Sequence, residues 1–236
     1  KLIFIIAVSL TSSFKAQVLT PKASPIAKIQ QKVGLADIQI DYSRPSVNGR
    51  VIFGELIPYG QMWRLGANEN TKITSSEALI FGKDTLKAGT YALFAKPGEN
   101  NWEFYFYKDY SNWGLPEKWD DSKVALKVSA SAGISKEFTE NLTLQFEELK
   151  SSSAKITLTW AQTKVTLPFA LDTKTKVLAS IDKTMAGPSA NDYHQAATYY
   201  FNENLDLKKA LEWSTKAVEM RGTSAYWMTR LKAQLQ

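Results

Sequence analysis

Residues 101–107 read NWEFYFY, and this stretch shows the pattern that decides the fold. Trp102, Phe104 and Phe106 fall on one side of an extended chain, whereas Glu103 falls on the other. Strict alternation of apolar and polar residues is typical of a β-strand with one buried face. The stretch therefore predicts a half-buried strand.

The same alternation recurs along most of the chain. Residues 37–42 and 142–146 repeat it, and turn-forming sequences separate the apolar runs. These turns lie at residues 82–84, 87–89, 97–101 and 151–153. Many short strands with turns between them predict a mainly β fold, an antiparallel β-sandwich of the jelly-roll type, over residues 24–171.

The hydrophobic period changes near Asp172, and helical spacing begins at Ser189. Small and aromatic residues then recur every three or four positions, with a turn and a cap at residues 204–206. Their spacing is similar to that of tetratricopeptide repeats, so we expect a TPR-like helical segment over residues 189–236. One repeat does not bury its own apolar face. We expect either a chain truncated at Gln236, which is favoured, or helices that pack on the sandwich as an appendage.

The first residues have the layout of a secretory signal peptide. Lys1 is followed by an apolar run over residues 2–10, and Ala16 supplies a small residue before Gln17. The run is too short for a membrane helix, and a buried N-terminal strand is the less favoured alternative. We expect residues 1–16 to be removed and the mature protein to be exported to the periplasm or cell surface of a Gram-negative bacterium, without a membrane span.

The composition excludes several classes of site. The 236 residues contain no cysteine and a single histidine, His194. Disulfides, a cysteine nucleophile and any site that needs two imidazoles from one chain are therefore excluded. No glycine-rich phosphate-binding motif is present. We predict no cofactor and no metal site. The net charge of +6 comes from scattered lysines rather than a basic tract, so no nucleic-acid partner is expected.

Residues 41–74 form the one long segment with neither a helical nor a strand period. Arginines, glycines, prolines and the run Asn68-Glu69-Asn70 are concentrated there. Polar loops on a rigid scaffold frequently hold binding sites. Our candidates for ligand binding or for bracing the loop are Tyr42, Arg44, Arg50, Tyr59, Trp63, Arg64, Asn68, Glu69 and Asn70.

Two interpretations of these residues remain open. The arginines could form a buried ion network with Glu55 and Glu69 that fixes the loop on the sandwich. Alternatively, the guanidinium groups could clamp the carboxylate or phosphate of a ligand. The structural network is the favoured interpretation.

Several long motifs carry a family resemblance. YSRPSVNGRVIFGELIPYGQMWRLGANENT at residues 42–71 is followed by FGKDTLKAGTYALFAKPG at 81–98 and NWEFYFYKDYSNWG at 101–114. In this order they resemble a family of exported bacterial proteins classed only as a domain of unknown function. The resemblance covers residues 24–170 and implies a signal peptide and TPR-like helices. It implies no activity and no catalytic residue.

The leading hypothesis is an exported binding or scaffolding protein. A protein or peptide partner would bind the helical repeat, and an anionic small molecule or glycan would bind the loop. The alternative is a hydrolase or lyase that acts on an envelope glycan or another anionic polymer through Glu69 or Glu55 with Arg44 and Arg64. The sequence favours the role that is not enzymatic and assigns no catalytic residue.

Overall fold

The computed structural model describes residues 20–222 and 224–236. The predicted signal peptide lies outside this range. The strands are β1 Ile26–Val33, β2 Ala36–Ser43, β3 Thr71–Ser75, β4 Leu79–Phe81, β5 Asp84–Leu86, β6 Gly89–Lys96, β7 Asn101–Tyr107, β8 Val124–Glu147 and β9 Ser153–Ala170. The α-helices are α1 Thr173–Thr184, α2 Ala190–Asn202, α3 Leu207–Arg221 and α4 Tyr226–Leu235. The strands form one nine-stranded sheet in the order β1-β2-β3-β6-β7-β8-β9-β4-β5, and the paired strands are antiparallel.

Strand β8 joins the two layers of this sheet. Its first part pairs with β7 and its second part pairs with β9. The register with β9 shifts between Ile134 and Thr143, and such irregularities bend a strand. Side chains from both layers then meet in one core, which includes Ile38, Ile40, Leu93, Phe104, Leu144, Ile156 and Leu158. The prediction of a mainly β, antiparallel fold followed by helices is confirmed, with both layers belonging to one hydrogen-bonded sheet.

The stretch at residues 101–107 forms β7, and Trp102, Phe104 and Phe106 face the core as predicted. The opposite face of β7 is also partly covered. Tyr107 is buried there beside Phe94 in a second, smaller aromatic cluster. Trp119, from the segment between β7 and β8, and Met62 cover this face. The alternation in β7 does not reveal either contact.

The C-terminal helices begin close to the predicted positions. Ser189 caps α2 through a capping box, in which Ser189 and Asp192 exchange side-chain to backbone hydrogen bonds. Asp206 caps α3 by accepting a hydrogen bond from the Lys209 N–H. Helix α1 was not predicted, because its apolar residues are few and its N-cap makes no side-chain hydrogen bond. None of the helices in the described residues is long and apolar enough to cross a membrane.

Small residues allow the helices to pack closely. Ala196, Ala197 and Ala210 are buried together, and Tyr200 meets Trp213 edge to face at 4.9 Å between ring centroids. Helix α1 contacts the β-domain as well as this cluster. The backbone of Gly34 lies so close to Thr173 that a Cβ there would be 2.4 Å from the Thr173 Oγ1. The relation to tetratricopeptide repeats stays a prediction.

Candidate functional site

The β2–β3 loop, residues 44–70, is the predicted polar loop, and it contains no helix or extended strand. It contacts the sheet through isolated bridges, hydrogen bonds and apolar side chains that belong to the core. A segment of this length keeps one conformation only when its backbone polar groups find partners. The bridges join Ser46 to Asn141, Phe53 to Ile57 and Trp63 to Ala95.

Tyr42 and Arg44 fasten the start of the loop to β8. The Tyr42 hydroxyl accepts a hydrogen bond from the Leu144 N–H at 3.0 Å and donates to the Leu144 carbonyl at 3.3 Å. Arg44 donates from Nε to the Leu142 carbonyl at 2.9 Å and from Nη2 to the Thr143 Oγ1 at 2.7 Å. Both side chains therefore join the two layers of the sandwich, so they act as braces.

Arg50 stabilises a turn within the loop. Its Nε donates to the Val47 carbonyl at 2.9 Å and its Nη2 donates to the Ser46 carbonyl at 2.6 Å. The turn is tied to β8 by the Asn48 N–H, which donates to Glu140 Oε1 at 2.9 Å. The guanidinium of Arg50 is thus occupied by its own loop.

Trp63 belongs to the core. Its ring lies in an aromatic group with Phe53, Trp102 and Trp160, at centroid distances between 5.8 and 6.1 Å from Trp63. Its Nε1 donates to the Gly66 carbonyl at 3.1 Å. The indole is 6% exposed, so it anchors the loop and offers little surface to a ligand.

The backbone after Trp63 is strained. Leu65 has φ of 54° and is fully buried, although a left-handed conformation is unfavourable for a bulky residue. Thr71 holds it by donating from Oγ1 to the Leu65 carbonyl at 2.8 Å. Asn68 is also left-handed, and its Nδ2 donates to the Ser24 carbonyl at 3.2 Å. A strained backbone conformation persists only where the surrounding contacts impose it. Such conformations cluster at functional sites.

The expected ion network does not form among the described residues. No arginine lies within 4 Å of Glu55 or Glu69, and Glu69 instead pairs with Lys72 at 3.7 Å. Arg44 leaves the end of β2 directly towards β8, where the Leu142 carbonyl and the Thr143 hydroxyl accept its hydrogen bonds. Hydrogen bonds from arginine to carbonyl groups therefore do the bracing that was assigned to ion pairs.

Asn70 and Tyr59 have contrasting positions. Asn70 is 3% exposed, yet neither polar atom of its amide has a hydrogen-bond partner among the described residues. Tyr59 is 41% exposed, and its ring lies against the backbone of Gly54. Neither residue braces the loop through a side-chain hydrogen bond.

Arg64 differs from the other two arginines of the loop. Its side chain is half-buried, but it makes no hydrogen bond and no ion pair with any described residue. It lines a cavity of about 260 Å³ together with Met62, Trp63 and Leu115. Its planar guanidinium keeps its donors available for a carboxylate or phosphate.

Gly114 lies directly against this guanidinium. A Cβ at that position would be 2.7 Å from Arg64 Nη1, and the φ of 80° is one that residues with a side chain rarely adopt. Glycine therefore allows the backbone between β7 and β8 to approach Arg64. The contact joins two segments that are 50 positions apart in the sequence.

The β7–β8 loop, residues 108–123, is fixed near both ends. Asp109 accepts hydrogen bonds from Ser111 and Lys123, and these lower the pKa of its carboxyl group, that from Ser111 most. At the other end, Trp119 packs on Tyr107 and its Nε1 donates to Asp121 at 2.8 Å. The middle of the loop, with Gly114 and Leu115, is thereby held over the sheet beside Arg64.

Sequence reasoning missed Met62, Gly114 and Leu115 as parts of this site. The turn-forming sequence at residues 111–116 indicates a loop, but nothing in it indicates contact with residue 64. Three candidates that are bonded to β8 or to the loop itself, Tyr42, Arg44 and Arg50, do not line this cavity.

The described residues contain no cluster of three His, Cys, Asp or Glu side chains suited to hold a metal ion. His194 lies on α2, where burial lowers the pKa of its imidazole.

The matching family is described as protein of unknown function (DUF2911), and its match extends over residues 24–169. The chain belongs to the DUF2911 family. The predicted resemblance to a domain of unknown function is thereby confirmed. The DUF2911 region contains the β-domain and both loops that form the Arg64 cavity, whereas the four α-helices follow it. No curated protein and no solved structure matches the chain.

Proposed function

We propose that this DUF2911 protein binds an anionic ligand through Arg64. The observation that carries the proposal is a difference in hydrogen bonding among the three arginines of the loop. Arg44 and Arg50 each use two nitrogens to bind the protein, whereas the half-buried guanidinium of Arg64 has no partner among the described residues and opens on a cavity.

Partial burial of a charge without a partner is unfavourable, because the group loses water and gains no compensating interaction. A ligand with a carboxylate or phosphate would supply that interaction, with two parallel hydrogen bonds to the planar guanidinium. The full chain has a net charge of +6, and removal of Lys1 and Lys15 with the predicted signal peptide leaves an excess of basic residues that also favours the approach of an anion. Binding needs only these features, so we propose a binding role and no catalytic one.

The experiment measures thermal stabilisation and calorimetric binding by inorganic phosphate and by acetate. Low ionic strength is used because salt screens such contacts. We expect both anions to stabilise the protein, and we expect Arg64→Gln to remove the effect. Arg221→Gln, an exposed arginine at the end of α3, is the control that should keep it. Equal binding by the Arg64→Gln protein would disprove the proposal.

A protein partner at helix α4 is a second proposal. It is supported by Tyr226 and Trp227, which are 73% and 45% exposed and stand edge to face at 5.6 Å. Exposed adjacent aromatics favour contact with an apolar segment of a partner. The full chain carrying Tyr226→Ser and Trp227→Ser should lose a partner that the Arg64→Gln protein still captures from an envelope extract. If both variant proteins still capture the partner, the proposed binding surface on α4 is wrong.

Export of the protein is also proposed, on the layout of residues 1–16. Expression of the full chain in a Gram-negative host, followed by fractionation and mass measurement, tests it. We expect a product in the periplasmic or surface fraction that lacks about 16 residues. An uncleaved product in the cytoplasm would contradict export.

A further inference from the structure

We infer that the ligand of the Arg64 site is an amphipathic monocarboxylate, with its carboxylate on Arg64 and an apolar body between the β2–β3 and β7–β8 loops. The inference rests on the proposed anion binding and specifies the chemistry of the ligand. It is carried by the size of the cavity, by its apolar walls and by the single charge in it.

The cavity is too large for a small inorganic anion alone. Its volume is about 260 Å³, whereas one water molecule accounts for about 30 Å³ of the liquid. A carboxylate held by the guanidinium would fill a fraction of this space. The open remainder gives space to further atoms of a ligand.

The walls of the cavity are apolar apart from Arg64. Met62 comes from the β2–β3 loop and Leu115 from the β7–β8 loop, and Trp63 completes the lining. Leu115 is 43% exposed, so its side chain has apolar surface that a ligand would cover. Burial of a methylene group against such a wall stabilises a complex by removing apolar surface from water.

The charge of the site fits a monoanion. Arg64 is the one charged residue in the lining. One guanidinium balances the single charge of a carboxylate fully and the charge of a phosphate dianion only in part, although it can pair with either group through two hydrogen bonds. The ligand class is therefore an acid with one negative charge and an apolar substituent.

The middle of the β7–β8 loop has room to adapt to such a substituent. Residues 112–118 make no backbone hydrogen bond with the rest of the described chain. The fixed ends at Asp109 and Trp119 keep Leu115 near Arg64.

The test is a calorimetric titration of the full chain with acetate, butyrate, hexanoate and octanoate at low ionic strength, with 1-hexanol as the uncharged control. We expect affinity to rise about fourfold per CH2 group until the apolar walls are covered. Leu115→Ser should flatten this rise, because it removes part of the apolar wall. Arg64→Gln should weaken every acid and leave hexanol unaffected. Circular dichroism checks that both variants are folded.

The outcomes separate this inference from the proposed function. Binding of acetate that depends on Arg64, without any gain along the series, would overturn the amphipathic ligand and leave anion binding intact. Absence of binding by acetate, phosphate and octanoate would overturn both. Equal affinity for hexanol and hexanoate would also overturn the inference, because the carboxylate would then contribute nothing.

A second arm of the experiment distinguishes two sources of the same chemistry. N-acetyl-leucine represents the C-terminal carboxylate of a peptide, and hexanoate represents an aliphatic acid. In either case we expect binding to depend on Arg64 and Leu115. Tighter binding of N-acetyl-leucine assigns the site to peptide ends, and tighter binding of hexanoate assigns it to aliphatic acids. Failure of both to exceed acetate overturns the inference.

Discussion

At the scale of single residues, two adjacent buried polar side chains where the β2–β3 loop meets β3 differ in their hydrogen bonding. The Thr71 hydroxyl donates to the Leu65 carbonyl at 2.8 Å. The neighbouring amide of Asn70 is equally buried and has no partner among the described residues. The free energy of a buried polar group depends on whether it is paired, so these adjacent residues provide a matched comparison.

We expect Asn70→Leu to maintain or raise the free energy of unfolding, by up to about 1 kcal/mol, because it removes an unpaired amide. Thr71→Val should lower it by about 1 kcal/mol, because the Leu65 carbonyl loses its donor. Urea unfolding followed by tryptophan fluorescence measures both. A loss in Asn70→Leu as large as that in Thr71→Val would mean that the amide is paired in solution.

Gly114 offers a second test at this scale. We expect Gly114→Ala to lower the free energy of unfolding by about 1 kcal/mol, because its φ of 80° is unfavourable for alanine. The added Cβ should also displace the Arg64 guanidinium and weaken anion binding. Gly187→Ala is the control, since no atom lies within 4 Å of its Cβ position. Unchanged anion binding by the Gly114→Ala protein would refute the contact.

At the scale of elements, the loop arginines divide into braces and a candidate ligand-binding group. Arg44 joins the end of β2 to β8, so it couples two strands that are distant in the sequence. Arg64 extends from the segment beside β6 and lies against Gly114, but its side chain makes no hydrogen bond or ion pair with the described residues. Chemically identical side chains therefore serve the fold in one place and leave donors available in another.

This division predicts different effects on stability. Arg44→Ala should lower the free energy of unfolding by about 2 kcal/mol, because two hydrogen bonds from a charged group to β8 are lost. Arg64→Ala should change it by less than about 0.5 kcal/mol, as expected for residues without such contacts. Arg230→Ala, on the exposed face of α4, is the control. Similar losses for Arg44→Ala and Arg64→Ala would show that Arg64 is also a brace.

At the scale of the whole molecule, β8 connects the layers, and carboxylates reinforce its pairing on both sides. Hydrogen bonds from Lys127 and then Tyr105 lower the pKa of Glu103 on β7. Hydrogen bonds from Thr157 and then Lys164 lower the pKa of Glu147 at the end of β8. A lowered pKa in the folded state means that the ionised form stabilises the fold.

The stability of the molecule should therefore depend on pH in a defined direction. The contribution of Glu103 and Glu147 is fully present above the unfolded pKa of about 4.3 and is lost as the pH falls through the lower folded values. Urea unfolding between pH 2.5 and about 6 should show this decline, and Glu103→Gln with Glu147→Gln should make it shallower. Glu117→Gln, at an exposed position, should not. An unchanged slope in the double variant would contradict the prediction.

The sequence by itself determined the class of the fold and the starts of two helices, α2 and α3. Alternation in residues 101–107 and the caps at Ser189 and Asp206 are local signals, because side-chain period and capping act between residues close in the chain. It also located the polar loop and the family resemblance. Only the tertiary structure decided which loop arginine is available, because the partners of Arg44 lie about 100 positions away on β8 and the neighbour of Arg64 is Gly114. Contacts between residues so far apart depend on how β8 bends and brings the two layers of the sheet together. The period of side chains along one segment carries no information about that bend.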